Sequence, residues 1–142
     1  MRVHMNNIQP SFTYNNKYLF THAGVTKTWM EFTCNYWLRG KVEDISSLSI
    51  DEKLDMLFRS KPTTFGFSPG NNFDYYGDET CQTPIWVRPK SLRKDKIDGY
   101  IQIVGHTQTN MIDVNDEVIQ IDSLEYGNYL VIEYDVLIAK SI

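Results

Sequence analysis

The sequence predicts an α/β fold. Three observations predict it. Two amphipathic helical repeats, each opened by a capping box, occupy the first half. Short apolar runs stop abruptly beside glycine, as buried strands do at a tight turn. The last 43 residues alternate strand and turn signals throughout.

In chain order, Tyr18-Leu19-Phe20-Thr21 is an aromatic and β-branched run ending in His22-Ala23-Gly24, which reads as a strand and a turn. Thr28 and Glu31 form a capping-box pattern, and Met30, Thr33, Cys34, Trp37 and Leu38 share one helical face; Gly40 is the expected stop. Ser49 and Glu52 repeat the box ahead of Ile50, Leu54, Leu57 and Phe58, and Pro62 ends that helix. Residues 63–83 form a long loop rich in glycine and aromatic residues, Phe65 to Tyr76 among them, and are expected to make a partly ordered flap. Ile85 to Pro89 is too short to classify, and the charged run from Lys90 to Asp98 reads as a solvated link. Strands follow at Tyr100–Val104, at Val118–Ile121 and from Asn128 through Ala139, with Gly127-Asn128 as a hairpin turn signal.

Length and charge bound the function. A chain of 142 residues is one domain or part of one, 1–142, and needs no disulfide or metal merely to fold. Fourteen basic against 18 acidic residues leave a net charge of −4, which provides no electrostatic footprint for nucleic acid or for an anionic membrane surface. The longest apolar runs are far short of the ~20 residues of a membrane span, and the start lacks the apolar core of a signal peptide. Two cysteines, Cys34 and Cys81, make no disulfide framework, so a cytoplasmic setting is expected. Cys34 falls on the apolar helix face, Cys81 in the loop, and neither has a histidine placed to make it a nucleophile. Trp29, Trp37 and Trp86 are expected in the core.

Of three histidines, His4 lies in a polar leader and reads as solvated. His22 and His106 each follow an apolar strand directly and stand within two residues of a glycine. Ligands bind open α/β sheets at the carboxyl ends of strands. Two neighbouring strands ending in this way bring two imidazoles together, and neutral imidazole is a common ligand for divalent metals. Two separate strand-end histidines, each satisfied by hydrogen bonds, would produce the same pattern.

Phe20-Thr21-His22-Ala23-Gly24-Val25, Ile85-Trp86-Val87-Arg88-Pro89, Ile103-Val104-Gly105-His106-Thr107, Ile119-Gln120-Ile121-Asp122-Ser123 and the strand from Tyr129 to Asp135 resemble, in that order, the C-terminal half of a calcineurin-like metallophosphoesterase. The bacterial and phage-type serine/threonine protein phosphatases are the subgroup most resembled, over about residues 17–135. The resemblance implies a β-sandwich half with a mixed sheet and flanking helices. It implies His22 and His106 as ligands of one metal, Arg88 as a phosphate contact, and a largely structural Asp122. It implies two divalent ions, manganese, iron or zinc, in the complete family site, and at most one, weakly held, here. The family's reaction is hydrolysis of phosphoesters or phosphoproteins by a metal-activated hydroxide.

The departure is as informative. The family's Asp-x-His, Gly-Asp-x-x-Asp-Arg-Gly and Gly-Asn-His-Glu/Asp segments are absent, and Gly77-Asp78-Glu79-Thr80 lies on the wrong side of His22 to replace them. The chain is therefore expected to be a fragment, a split gene product or a remnant, inactive alone. It is expected to associate, as a homo-oligomer or with the missing N-terminal half. A non-catalytic remnant or interaction domain of the same fold is the alternative.

Overall fold

The computed structural model describes residues 8–68, 70, 76 and 78–142. His4, Phe73, Tyr75 and Gly77, and with them the middle of the expected flap, lie outside the described residues.

A four-stranded sheet runs in the order β1 (Ser11–Tyr14), β2 (Tyr18–Thr21), β3 (Ile101–Val104), β4 (Val118–Gln120). β1 and β2 are antiparallel, whereas β2, β3 and β4 are mutually parallel, so the sheet is mixed. Side chains alternate across it, as the two-residue strand period requires. Leu19 enters a core with Trp29, Cys34, Leu38, Leu54, Leu57 and Phe65 on the helix side. Tyr18 and Ile103 enter another with Ile112 and Ile119. A separate hairpin, β5 (Asn128–Glu133) and β6 (Val136–Ser141), packs Leu130, Ile132 and Leu137 against that second core. Strands covered on both faces read as near-continuous apolar runs, and β2 and β3 do apart from Thr21 and the buried Gln102.

Helix α1 (27–38) departs from its sequence reading. Its N-cap is Thr26, whose hydroxyl accepts from the Trp29 amide; the Thr28 amide is taken instead by Asp95 at 2.9 Å. Met30–Asn35 is π-helical. The widened turn brings Trp29 and Cys34, five residues apart, into the same core, while Trp37 is left partly exposed on the outer side with the Lys61 ammonium over its ring. Helix α2 (Ile50–Ser60) has the expected Ser49/Glu52 capping box and buries Leu54 and Leu57.

The charged run after Pro89 is a helix, not a link: α3 (Pro89–Asp95). Proline at its first position lacks the amide that a helix start leaves unpaired. Leu92 is fully buried beneath β3 and β4, among Ala23, Val87, Val104 and Val118; Arg93 pairs with Asp116 at 2.8 Å, and the lysines face solvent. One apolar anchor in a seven-residue helix leaves no readable periodicity.

Two further corrections concern hairpins. β1 was not legible in the polar leader, yet Asn15 and Asn16, both at φ of +51°, turn it back into β2. Asparagine tolerates this left-handed geometry better than most residues. The final strand run is broken at Tyr134 and Asp135, also left-handed, while Gly127 closes a short 3-10 turn (Leu124–Tyr126) before β5. The two hairpin turns meet, with the Asn15 amide donating to Asp135 and the Tyr18 hydroxyl to the Asp135 carbonyl.

Both sheet edges carry side-chain caps. Asp51, in the first turn of α2, accepts from the Ser11 hydroxyl and, at 3.0 Å, from the Thr13 amide on the outer edge of β1. Arg93 reaches the Val118 carbonyl at 3.5 Å on β4. Such caps blunt a strand edge as a template for another chain.

Gly24 sits at φ of +116°, and a Cβ there would overlap the buried methyls of Leu92. Gly24→Ala combines backbone strain with overpacking and is expected to destabilise the fold by about 2–4 kcal/mol. A urea midpoint equal to that of the unsubstituted chain would contradict this packing.

Candidate functional site

Parallel pairing sets the site. Thr21 of β2 lies opposite Val104 of β3, so both strands reach their carboxyl ends at the same edge. His22 and His106 follow these ends. The Gly105 amide donates to the His22 carbonyl at 2.9 Å, which holds the two exit turns together.

His22 Nε2 and His106 Nδ1 are 3.2 Å apart, with ring centroids at 5.0 Å and planes inclined by 59°. The separation admits two chemistries. A neutral pair of opposite tautomer roles forms an N–H···N hydrogen bond. Alternatively, two nitrogens at ~2.0–2.1 Å from one tetrahedral or octahedral ion stand roughly 2.9–3.4 Å apart, which fits both imidazoles on a single metal. Among the described residues no group of three or more His, Cys, Asp or Glu is assembled to complete a coordination sphere.

The backbone is bent to make this pair. His106 has φ of +62°, and the Thr107 amide donates to the Gly105 carbonyl at 2.7 Å, closing a tight γ-type turn around it. A side chain other than glycine in this region costs of order 1–2 kcal/mol. The strain aims the imidazole across to β2, and strained backbone of this kind concentrates at ligand sites.

Burial, together with the charges of Arg88 and His22, holds the His106 pKa below its usual value; Asp122 and the Trp86 backbone partly offset this. The ring is therefore neutral near pH 7, with a lone pair free for a proton donor or a metal. Among the described residues the buried His106 Nε2 has no well-formed hydrogen bond, the Trp86 backbone being a weak partner of the ring at most.

Arg88 stands at the start of α3 on the same edge. Its Nε donates to the Tyr76 carbonyl at 2.6 Å and its Nη1 to the Thr107 hydroxyl at 3.3 Å, tying it to the residue after His106. Its fork can hold two oxygens of an anion. Trp86, expected in the core, is instead 38% exposed and touches His106 edge to face at 5.6 Å. Neither Trp86 nor Thr107 was singled out for the site from sequence. The adjacency of Trp86 to Arg88, and of Thr107 to His106, was the available signal.

Asp122 is exposed and its carbonyl accepts from the Thr109 amide at 2.9 Å, a loop-ordering role. Burial pushes the Cys34 thiol up to about 12 and raises that of Cys81, with Glu79 adding to the latter; neither supplies a thiolate near neutral pH. A mostly apolar cavity of about 570 Å³ opens beside His22, lined among others by Phe12, Phe20, Phe58, Phe65 and Ile121.

Comparisons with family models, with curated proteins and with solved structures find no match for this chain.

If the His106 backbone is strained, His106→Gly should be roughly 1 kcal/mol more stable than His106→Ala, because only glycine adopts this geometry freely. Urea unfolding of the two variants measures the difference, and equal stabilities would remove the strain argument.

Proposed function

We propose that this chain supplies the two-histidine part of a divalent-metal site for phosphoester hydrolysis, of the calcineurin-like metallophosphoesterase type. The observation that carries the reading is the 3.2 Å approach of His22 Nε2 and His106 Nδ1 at the ends of adjacent parallel strands. His22 and His106 would hold the ion through those two nitrogens. A bound divalent ion supplies Lewis acidity and an activated water. Arg88 binds and orients the anionic substrate, and Thr107 steadies the guanidinium from behind. The remaining ligands, and with them the acid and base groups, come from outside the described residues.

The chain alone should therefore take up Mn²⁺ weakly and hydrolyse nothing. Mn²⁺ titration should broaden the ring resonances of His22 and His106 together, and either His→Ala substitution should abolish the effect on the other. Hydrolysis of p-nitrophenyl phosphate with Mn²⁺ should not exceed that of a His22→Ala control. Turnover above the control would contradict the need for further ligands, and ring resonances indifferent to millimolar Mn²⁺ would contradict the metal site.

A non-catalytic domain of the same fold is the second reading, favoured by the lack of a third ligand among the described residues. A histidine pair that persists as an N–H···N bond and ignores Mn²⁺ selects it.

We further propose that the apolar cavity beside His22 packs against another chain, either a second copy or one bearing the complementary ligands. The edges of β1 and β4 are capped, and the cavity-lining Phe12 and Phe20 offer an apolar surface beside His22 instead. Sedimentation at micromolar concentration should give a species heavier than 16.6 kDa, or one that becomes heavier with a complementary chain. A monomer under both conditions would show that the cavity is closed without a partner.

A further inference from the structure

We propose that Trp86 is a positioning residue for His106, fixing the plane of the imidazole so that the ring stays turned toward His22. The inference rests on the metal-site reading above and extends it to a side chain that would touch neither ion nor substrate.

A ligating histidine is ordinarily held by a hydrogen bond from its other ring nitrogen, which fixes both tautomer and orientation. Among the described residues His106 has no well-formed bond of this kind: its Nε2 is buried, and the Trp86 backbone is a weak partner of the ring at most. Without a firm bond the ring is free to swing about Cα–Cβ and Cβ–Cγ away from His22. A packing contact must restrain that swing.

The Trp86 indole is placed to do so. It meets the His106 ring at 5.6 Å with the planes inclined by 84°, the edge-to-face arrangement that aromatic quadrupoles favour. Phe67 backs the indole in the same manner at 5.5 Å and 82°. Phe67, Trp86 and His106 therefore form a row of three mutually inclined rings, with His22 next beyond His106.

The backbone beneath the indole is anchored at the site itself. The Pro84 carbonyl accepts from the Ala23 amide at 2.7 Å, immediately after His22. The Trp86 and Val87 amides both donate to the Thr83 carbonyl at 3.0 Å, and the Thr83 hydroxyl donates to the Phe65 carbonyl at 2.9 Å. Thr83 and Val87 are buried. The turn that carries Trp86 is thus fastened to the end of β2, and its indole reaches the histidine that follows β3. Trp86 couples the two histidines mechanically as well as packing on one of them.

The experiment compares Trp86→Ala and Trp86→Phe with the unsubstituted chain, using Co²⁺ alone as the probe. Affinity is read by titration. The nuclear Overhauser effect between the His22 and His106 rings is read in the metal-free protein. Removing an orienting partner costs about 10–100-fold in metal affinity, so Trp86→Ala should weaken Co²⁺ binding at least about tenfold and lose the ring-to-ring effect. Trp86→Phe keeps an aromatic edge and should rescue both, an outcome that a loss of bulk stability would not produce. Co²⁺ affinity and ring contact unchanged in Trp86→Ala would overturn the proposal, as would a Trp86→Phe variant no better than alanine. If the unsubstituted chain takes up no Co²⁺, the metal-site reading fails, and the ring-to-ring effect alone decides the role of Trp86. If Trp86→Ala does not fold, Phe67→Ala withdraws only the backing of the indole. It should weaken both readouts in the same direction, and its having no effect on either would count against the proposal.

Discussion

The arrangement depends on a buried amide. Gln102, on β3, accepts from the Val25 amide at 2.7 Å and donates to the Val25 carbonyl at 2.8 Å, with no exposure to water. Its side chain thus imitates a strand neighbour for backbone that has already left β2. Both partners are satisfied, so burying the primary amide carries no uncompensated desolvation. The bond pair fixes where the chain goes after His22-Ala23-Gly24, and the β2–β3 register fixes where His106 emerges. Their combined effect is to bring two imidazoles from positions 84 residues apart to hydrogen-bond distance.

The cost of that convergence is local. His106 takes a left-handed backbone, Gly24 takes one that alanine adopts only under strain, and His106 Nε2 is buried without a well-formed hydrogen bond among the described residues. These departures from low-energy structure lie at a single edge of the sheet. The rest of the sheet is orthodox: alternating side chains, capped outer strands and helix-side packing by Leu54, Leu57 and Trp29. Left-handed residues also occur at Asn15, Asn16, Tyr134 and Asp135, where two hairpin turns require them; the left-handed His106 instead sits beside a second imidazole, and strain at such a place points to function.

The strands β2, β3 and β4 and helix α2 were legible because each has a signal that depends on few residues: an apolar run closed by a turn, or a capping box before an i, i+4, i+7 repeat. The approach of His22 to His106 was one of two readings of the strand-end pattern, and the parallel pairing of β2 with β3, which that pattern does not specify, decides it. What failed depended on tertiary support. Helix α3 rests on one buried leucine under Gly24 and on an Asp116 partner 23 residues away for Arg93. The first helix begins at Thr26 because Asp95 takes the Thr28 amide, a contact 67 residues distant. Its π-helical turn rotates Trp37 outward, which no 3.6-residue repeat predicts. Strand β1 was hidden because Phe12 and Tyr14 alternate with polar residues over only four positions, and its turn is made by two asparagines. Trp86 was assigned to the core by hydrophobicity alone, whereas its neighbour in space is an imidazole reached through the fold.

The central claim is that His22 Nε2 and His106 Nδ1 serve one ion. The most direct measurement is pulsed electron paramagnetic resonance of the Cu²⁺-loaded chain carrying ¹⁵N-labelled histidine. Couplings from two imidazole nitrogens on one Cu²⁺, reduced to one in His22→Ala and in His106→Ala, are the predicted result. Coupling to a single imidazole that survives either substitution, or to none, would contradict the account and leave the pair as a hydrogen bond between two strand ends.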